Sequence, residues 1–284
     1  MEERTETWTI LRVLDWTKGY LAEKGVGNAR LETEWMLCSV LGLDRVGLYL
    51  NFDRPLSEEE LAGIRGLVAR RARREPLQYL LGSQEFCGLD FLVSPAVLIP
   101  RHDTEVLVEE ALRRVPAARS VLDIGTGSGC IAVSLAKRLP AAEVWGADCS
   151  AEALEVAARN AERHGVGLHL VQGSLFEPVP GKRFQLVVSN PPYIPTADLG
   201  ALQPEVRDHE PRGALDGGTD GLDFYRQIVA QAPVHLEPGG WLLLEAGIGQ
   251  AAAILELLAR AGFAALFTAV DPAGIERVVG GQIT

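Results

Sequence analysis

One stretch of the chain combines residue types that a simple turn does not need. Val187 to Pro195 reads VVSNPPYIP: an apolar run, an amide at Asn190, two imino acids at Pro191 and Pro192, and an aromatic at Tyr193. Such a set suits a planar amide nitrogen that accepts a transferred group. The lone pair of that nitrogen is delocalised into its carbonyl. Two hydrogen-bond acceptors aimed at its two N–H bonds would fix it and favour pyramidalisation. The side-chain oxygen of Asn190 supplies one. The Pro191 carbonyl supplies the other, because Pro192 biases the residue before it to an extended conformation. Tyr193 can stack on the flat amide, and the prolines keep the group rigid, which turns orientation into rate. No base of shifted pKa is needed, since the proton can leave after transfer. Taken alone, the stretch also reads as a surface turn that closes a strand.

A second constellation lies upstream. VLDIGTGSGC sets Gly125, Gly127 and Gly129 between an apolar strand and a helix, with Thr126 and Ser128 interleaved. Glycines there let the backbone turn sharply and approach a ligand. Asp148 ends the next strand, where a carboxylate meets a ribose diol. A dinucleotide site uses G-x-G-x-x-G to admit a pyrophosphate at a helix N-terminus. Here the third glycine comes one residue early, and no P-loop lysine follows. The tight loop suits a cofactor with an amino acid end and no phosphate, namely S-adenosylmethionine. The group passed to the amide is then a methyl, with Asn190 facing the methyl end of the cofactor.

These residues need a frame. The chain has 284 residues, 47% of them apolar and 23% charged, which allows a sizeable core and more than one small domain. Residues 7 to about 82 carry helical spacing of apolar residues, with Ser57 and Glu60 forming a capping box ahead of LAGIRGLVARRARRE. Trp35 and Met36 read as helical core. Pro76 and Gly82 break the pattern. SQEFCGLDFLVSP then reads as a hairpin turning at Gly88, and AVLIPR as a short strand. From Ser120 onward strands and helices alternate, which predicts a mainly parallel sheet covered on both faces. ALFTAVD and IERVVGG are joined too closely for a crossover helix, so they should pair antiparallel. The expected domains are residues 1–82, helical; 83–105, a hairpin linker; and 106–284, catalytic.

A formal net charge of −11 argues against a broad phosphate-tracking face, so no direct nucleic-acid partner is expected. Cys38, Cys87, Cys130 and Cys149 form no C-x-x-C pair, and the five histidines are scattered. No metal site is expected. The acidic start, MEERTETW, has no apolar leader, and no apolar run is long enough to span a bilayer. A cytoplasmic, unanchored monomer is expected.

VLDIGTGSG resembles the cofactor motif of the class I methyltransferases, and N-P-P-Y is shared by enzymes that methylate exocyclic base amines or glutamine side chains. The flanks decide between these. EPLQYLLGSQEFCGLDFLVSPAVLIPRHDTEVLVEEAL, EVRDHEPRGALDGGTDGLDFYRQI, LEPGGWLLLEAG and ARLETEWMLCSVLGLDR resemble the release factor glutamine methyltransferases, the PrmC/HemK family, along nearly the whole chain. The resemblance implies an α/β, Rossmann-like class I methyltransferase domain with a seven-stranded sheet whose last pair is antiparallel, preceded by a small helical bundle. It implies methylation at N5 of the glutamine in the Gly-Gly-Gln motif of peptide chain release factors, with S-adenosylmethionine as cofactor. By the same resemblance Gly125, Thr126, Gly127, Ser128, Gly129 and Asp148 hold the cofactor, Ser174 and Leu175 lie by its adenine, and Asn190, Pro191, Pro192 and Tyr193 hold the glutamine. The helical domain would dock the substrate protein. An N6-adenine DNA methyltransferase and a cofactor-binding module without catalysis are the alternatives.

Two residues depart from the family pattern. His102 stands where a proline is usual, which would loosen IPRHDTE. Ser174 stands where an acid or amide often meets adenine. Further candidates are the basic run Arg65, Arg70, Arg71, Arg73 and Arg74, as an acidic-partner dock or a solvated face; Glu245, as pocket lining or a loop cap; and His209 and Glu210, near substrate or as scaffold. Gly280-Gly281-Gln282 repeats the substrate tripeptide, most simply by coincidence.

Overall fold

Ser57 does cap a helix: its hydroxyl accepts from Glu60 N, and the Glu60 carboxylate accepts from Ser57 N. The computed structural model describes residues 7–284, which fall into two units. The first comprises residues 7–82 and, from much later in the chain, Pro204–His209. Its helices are α1 (Ile10–Glu23), α2 (Ala29–Leu41), α3 (Arg45–Leu50), α4 (Glu58–Arg71) and α5 (Leu77–Leu81). Ile10, Leu21, Met36, Leu37 and Leu48 are fully buried in its core. Trp35, expected in that core, is 45% exposed. Successive helical residues point about 100° apart, and Met36 takes the inward direction.

Part of the basic run is neutralised within this unit. Arg71 is buried and donates to Glu32 of α2 and, at 2.9 Å, to Glu205. Arg74 spans both oxygens of Glu205, at 2.7 and 2.6 Å. Arg70 pairs with Glu75. Arg71 and Arg74 thus belong to an internal network around Glu205, whereas Arg65, Arg70 and Arg73 are exposed, so for these three the readings as a docking patch or a solvated face both stand.

The second unit, residues 83–203 and 210–284, opens with the hairpin β1 (Ser83–Phe86) and β2 (Leu89–Leu92). Cys87 and Gly88 both have positive φ, the geometry of a tight two-residue turn, and Phe86 and Phe91 bury the hairpin's inner face. AVLIPR forms no strand. Pro95 and Pro100 bracket it and cannot donate to a ladder; Ile99 N instead donates to the Glu210 carboxylate. A 3₁₀ turn at His102–Thr104 leads into α6 (Glu105–Arg114).

There follow β3 (Ser120–Ile124), α7 (Cys130–Arg138), β4 (Glu143–Asp148), α8 (Ala151–His164), β5 (His169–Gln172), β6 (Phe184–Ser189), α9 (the Pro204–His209 segment), α10 (Asp223–His235), β7 (Leu236–Glu245), α11 (Ala251–Arg260), β8 (Phe263–Val270) and β9 (Glu276–Ile283). The sheet order is β5-β4-β3-β6-β7-β9-β8. Pairing is parallel from β5 to β7, and β9 is antiparallel to both neighbours. This is the expected seven-stranded Rossmann-like sheet. Residues of β3, β6 and β7 face apolar clusters on both sides, which explains their continuous hydrophobic runs. Gly280, Gly281 and Gln282 lie inside β9, paired with β7 and β8. A Cβ at Gly280 would stand 2.8 Å from Leu242 O, so packing accounts for this glycine. No helix among the described residues is long and apolar enough to cross a membrane.

Candidate active site

The chain enters the sheet at β3, runs outward through β4 and β5, and then crosses to β6 on the other side of β3. Ligands bind beyond the carboxyl ends of strands at such a reversal. Here β3 and β6 pair in parallel, with Ile124 opposite Ser189, and the buried Ser189 hydroxyl donates to Ile124 O at 2.7 Å. The glycine loop and Asn190 therefore leave adjacent strands side by side. Asp148 ends β4, Ser174 and Leu175 follow β5, and Glu245 ends β7. The carboxyl ends of neighbouring strands thus collect the glycine loop, Asp148, Ser174, Leu175, Asn190 and Glu245.

Gly125, Gly127 and Gly129 all have positive φ, at 71°, 54° and 79°. A Cβ on Gly129 would also stand 3.1 Å from that of Ala157 on α8, whereas one on Gly125 would meet nothing within 4 Å. The loop is thus tight toward the fold and open where a ligand would approach. Gly125 N and Thr126 N both donate to Ala147 O. Asp148 accepts from Gly127 N through Oδ2 and from Ser150 N through Oδ1, each at 2.9 Å. Each carboxylate oxygen keeps a second lone pair, so this anchoring is compatible with a diol. The open cradle and this acid fit a nucleoside cofactor carrying an amino acid end.

Two residues escaped sequence reasoning. Asp123, within β3, is fully buried and accepts the Thr126 hydroxyl at 2.7 Å through Oδ2, while Oδ1 has no partner among the described residues. Burial pushes its pKa up to about 7, with the Thr126 hydrogen bond opposing the rise. Its position inside a strand hid it among apolar neighbours. Asn160 of α8 is also fully buried; it accepts from Leu92 N and donates to Leu92 O and Ser128 O, tying hairpin to glycine loop. A polar residue on the apolar face of a helix is the only signal the sequence offered.

Around N-P-P-Y the backbone is clamped. Ile194 N donates to Leu215 O, Gly217 N to Ile194 O, and Thr196 N to Gly218 O. Gln250 Nε2 donates to Tyr193 O at 2.9 Å. Gly217 lies so close that a Cβ there would stand 2.7 Å from Tyr193 Cα and 2.8 Å from Pro192 O. Pro191 is buried. Tyr193 is half-buried, and desolvation raises its phenol to about 12, so it remains neutral. Asn190 Nδ2 donates to Thr104 Oγ1 at 3.3 Å, which leaves its Oδ1 for another partner.

Other expectations sort as follows. Glu245 is buried, with Oε2 unpartnered among the described residues; desolvation raises its pKa to about 7, opposed first by a hydrogen bond from Thr104. No hydrogen bond among the described residues ties its carboxyl to the following loop. Glu210 is buried and accepts from Arg101 and Ile99 N, which makes it scaffold. His209 lies in α9, grouped with the first unit. The His102 ring pairs with Glu105 at 3.1 Å, within the 3₁₀ turn. Ser174 is exposed and its N–H donates to Glu177, while Leu175 has positive φ.

Comparison with known proteins adds to this geometry. Residues 12–82 match the PrmC N-terminal domain family, and residues 102–201 match the methyltransferase small domain family. A release factor glutamine methyltransferase of Geobacter sulfurreducens is 70% identical over 283 residues, covering 100% of both chains. One from Gloeobacter violaceus is 47% identical, over 93% of this chain and 94% of that one. Among solved structures, a methyltransferase from Pyrococcus furiosus aligns with a TM-score of 0.53 at 20% identity, over 75% of this chain and 98% of that one. That last likeness is one of fold.

Proposed function

The chain belongs to the release factor glutamine methyltransferases, and from this premise we infer that it methylates N5 of the glutamine in the Gly-Gly-Gln motif of a peptide chain release factor, using S-adenosylmethionine. The observation that carries the reading is the placement of Asn190 beside the glycine loop with its nitrogen engaged and its oxygen available. When bound, S-adenosylmethionine supplies an electrophilic methyl group on a sulfonium. Gly125 to Gly129 and Asp148 would hold it, with Ser174 and Leu175 toward the adenine. Asn190 Oδ1 and the Pro191 carbonyl would accept the two N–H bonds of the substrate amide, and Tyr193 would cover its flat face. Both acceptors gain strength as the nitrogen pyramidalises, so they favour the transition state over the ground state. The neutral phenol of Tyr193 adds no charge beside the reacting nitrogen. A cytoplasmic location goes with such a substrate, and docking of the release factor is the role proposed for the helical unit.

N6-adenine methylation of DNA uses the same four residues, and the net charge of −11 weighs against it. One assay separates the two: labelled cofactor is offered with purified release factor and, in parallel, with adenine-containing DNA. Label is expected in the release factor, on the motif glutamine by peptide mass mapping. Label in DNA alone would overturn the reading.

A further inference from the structure

Two buried polar side chains at the site have no part in the transfer described so far. Thr104 closes the 3₁₀ turn before α6, and Glu245 ends β7; both are 2% exposed. Thr104 Oγ1 receives the Asn190 Nδ2 proton at 3.3 Å. The Glu245 carboxyl lies close enough for the Thr104 hydroxyl to oppose the rise that burial gives its pKa. The second carboxyl oxygen, Oε2, is buried without a partner among the described residues. Buried polar atoms of this kind are rare and costly, so their retention calls for a reason.

An asparagine amide can rotate by half a turn and exchange its oxygen for its nitrogen at almost no steric cost. With the nitrogen inward, Asn190 offers an acceptor to the substrate; with the nitrogen outward, it offers two donors where the substrate amide also has donors. We propose that Thr104 and Glu245 are positioning residues that hold Asn190 in the first state: Glu245 accepts the Thr104 hydroxyl proton, so the Oγ1 lone pair faces Asn190 Nδ2 and Asn190 Oδ1 faces the substrate nitrogen. Both polarities of the chain are then fixed by its buried acceptor end. The other charged or ionisable groups facing Glu245 are Arg277, Asp103, Arg101 and Tyr193; Tyr225 spends its hydroxyl proton on the Glu245 backbone carbonyl. The carboxyl itself remains the group available to Thr104.

The proposal rests on the functional reading above, because it assigns Asn190 Oδ1 to a substrate amide. Its test is a double-mutant cycle on the full chain, measured by single-turnover methylation of release factor. T104V keeps the shape of Thr104 and removes the hydroxyl. It should lower kcat roughly 10- to 100-fold by loss of orientation, with KM for release factor and cofactor Kd within about threefold of wild type. T104S should return to within about threefold of the wild-type rate. In an N190A background T104V should add less than about twofold, because there is no amide left to orient. E245L should repeat the T104V loss, and E245Q, which keeps an acceptor oxygen, should recover most of it. Equal losses from T104V with and without Asn190, or a T104V rate equal to wild type, would overturn the proposal alone. A wild-type enzyme that leaves the release factor unmethylated would overturn the functional reading, and the proposal with it.

Discussion

At Asn190 one oxygen is proposed to hold one N–H of the substrate, and the consequence is measurable. Removing a preorganised polar contact that strengthens in the transition state costs about 3–4 kcal/mol, or roughly 10² to 10³ in rate. Asn190→Ala is therefore expected to lose that much kcat while cofactor Kd, read by titration, stays within about tenfold. Asn190→Asp keeps the acceptor but loses the donor to Thr104 and should fall between Ala and wild type. An Ala variant with full activity would remove Asn190 from the reaction. At this scale the sequence was most informative where chemistry demands a residue type. The glycines at 125, 127 and 129 stood out because no other residue tolerates those φ values cheaply, and N-P-P-Y stood out because a plain turn has no use for it. Asp123 and Asn160 did not stand out. Asn160 depends on partners distant in sequence, Leu92 and Ser128, whereas Asp123 bonds nearby Thr126 and is hidden by its place inside an apolar strand.

The elements that frame the site were legible wherever periodicity is long. The alternation from Ser120 onward gave the order of strands and helices, and the short β8–β9 link gave their antiparallel pairing. Short elements were not legible: α3, α5 and α9 have six, five and six residues, too few for a helical repeat to declare itself. Nor did AVLIPR betray that its flanking prolines deny it a ladder. The clamp on N-P-P-Y belongs to the same class, since it is made by loop glycines. Gly217→Ala would press a methyl group against backbone atoms of Tyr193 and Pro192 at 2.7 and 2.8 Å. Neither can yield as a side chain would, so a loss of roughly 1–3 kcal/mol is expected, with kcat falling at least about tenfold as Tyr193 shifts. Urea denaturation beside single-turnover rates would show both, and a variant unchanged in each would refute the clamp. The Glu205 network makes a parallel prediction. Arg71 is buried between Glu32 and Glu205, so Arg71→Ala leaves two half-buried carboxylates facing one another. Breaking one side of such a pairing costs about 3–5 kcal/mol, and a matching fall in the urea midpoint is expected. A fall below about 1 kcal/mol would mean that Arg74 alone neutralises Glu205.

For the molecule as a whole, the buried carboxyls at the site set how stability responds to pH. Asp123 and Glu245 are both raised to about 7, first by desolvation. A raised carboxyl binds its proton more tightly in the folded chain than in the unfolded one. Between the unfolded carboxylate range and about pH 7 the folded state therefore holds protons that the unfolded state has lost, and stability falls as pH rises. Glu60, Glu75, Glu205, Asp216 and Asp271 are shifted the other way, Asp216 first by the Thr196 hydroxyl and the others by arginines and backbone N–H groups. Their contribution is complete above the unfolded range and is lost only on further acidification. From about pH 5 to about pH 7 the two buried acids supply a falling slope, at about 1.4 kcal/mol per unit of pKa difference for each group as a ceiling. The cofactor-free protein is thus expected to melt at a lower temperature at pH 8 than at pH 5.5, by several degrees, in a calorimetric series at constant ionic strength. Asp123→Asn and Glu245→Gln should each flatten the curve, and the double variant should abolish its fall. The sign is the decisive part: a melting temperature that rises over this interval would mean that both groups are ionised in the fold. The Thr104 hydroxyl would then face a permanent carboxylate, and Asn190 would be oriented equally well at every pH at which the enzyme folds.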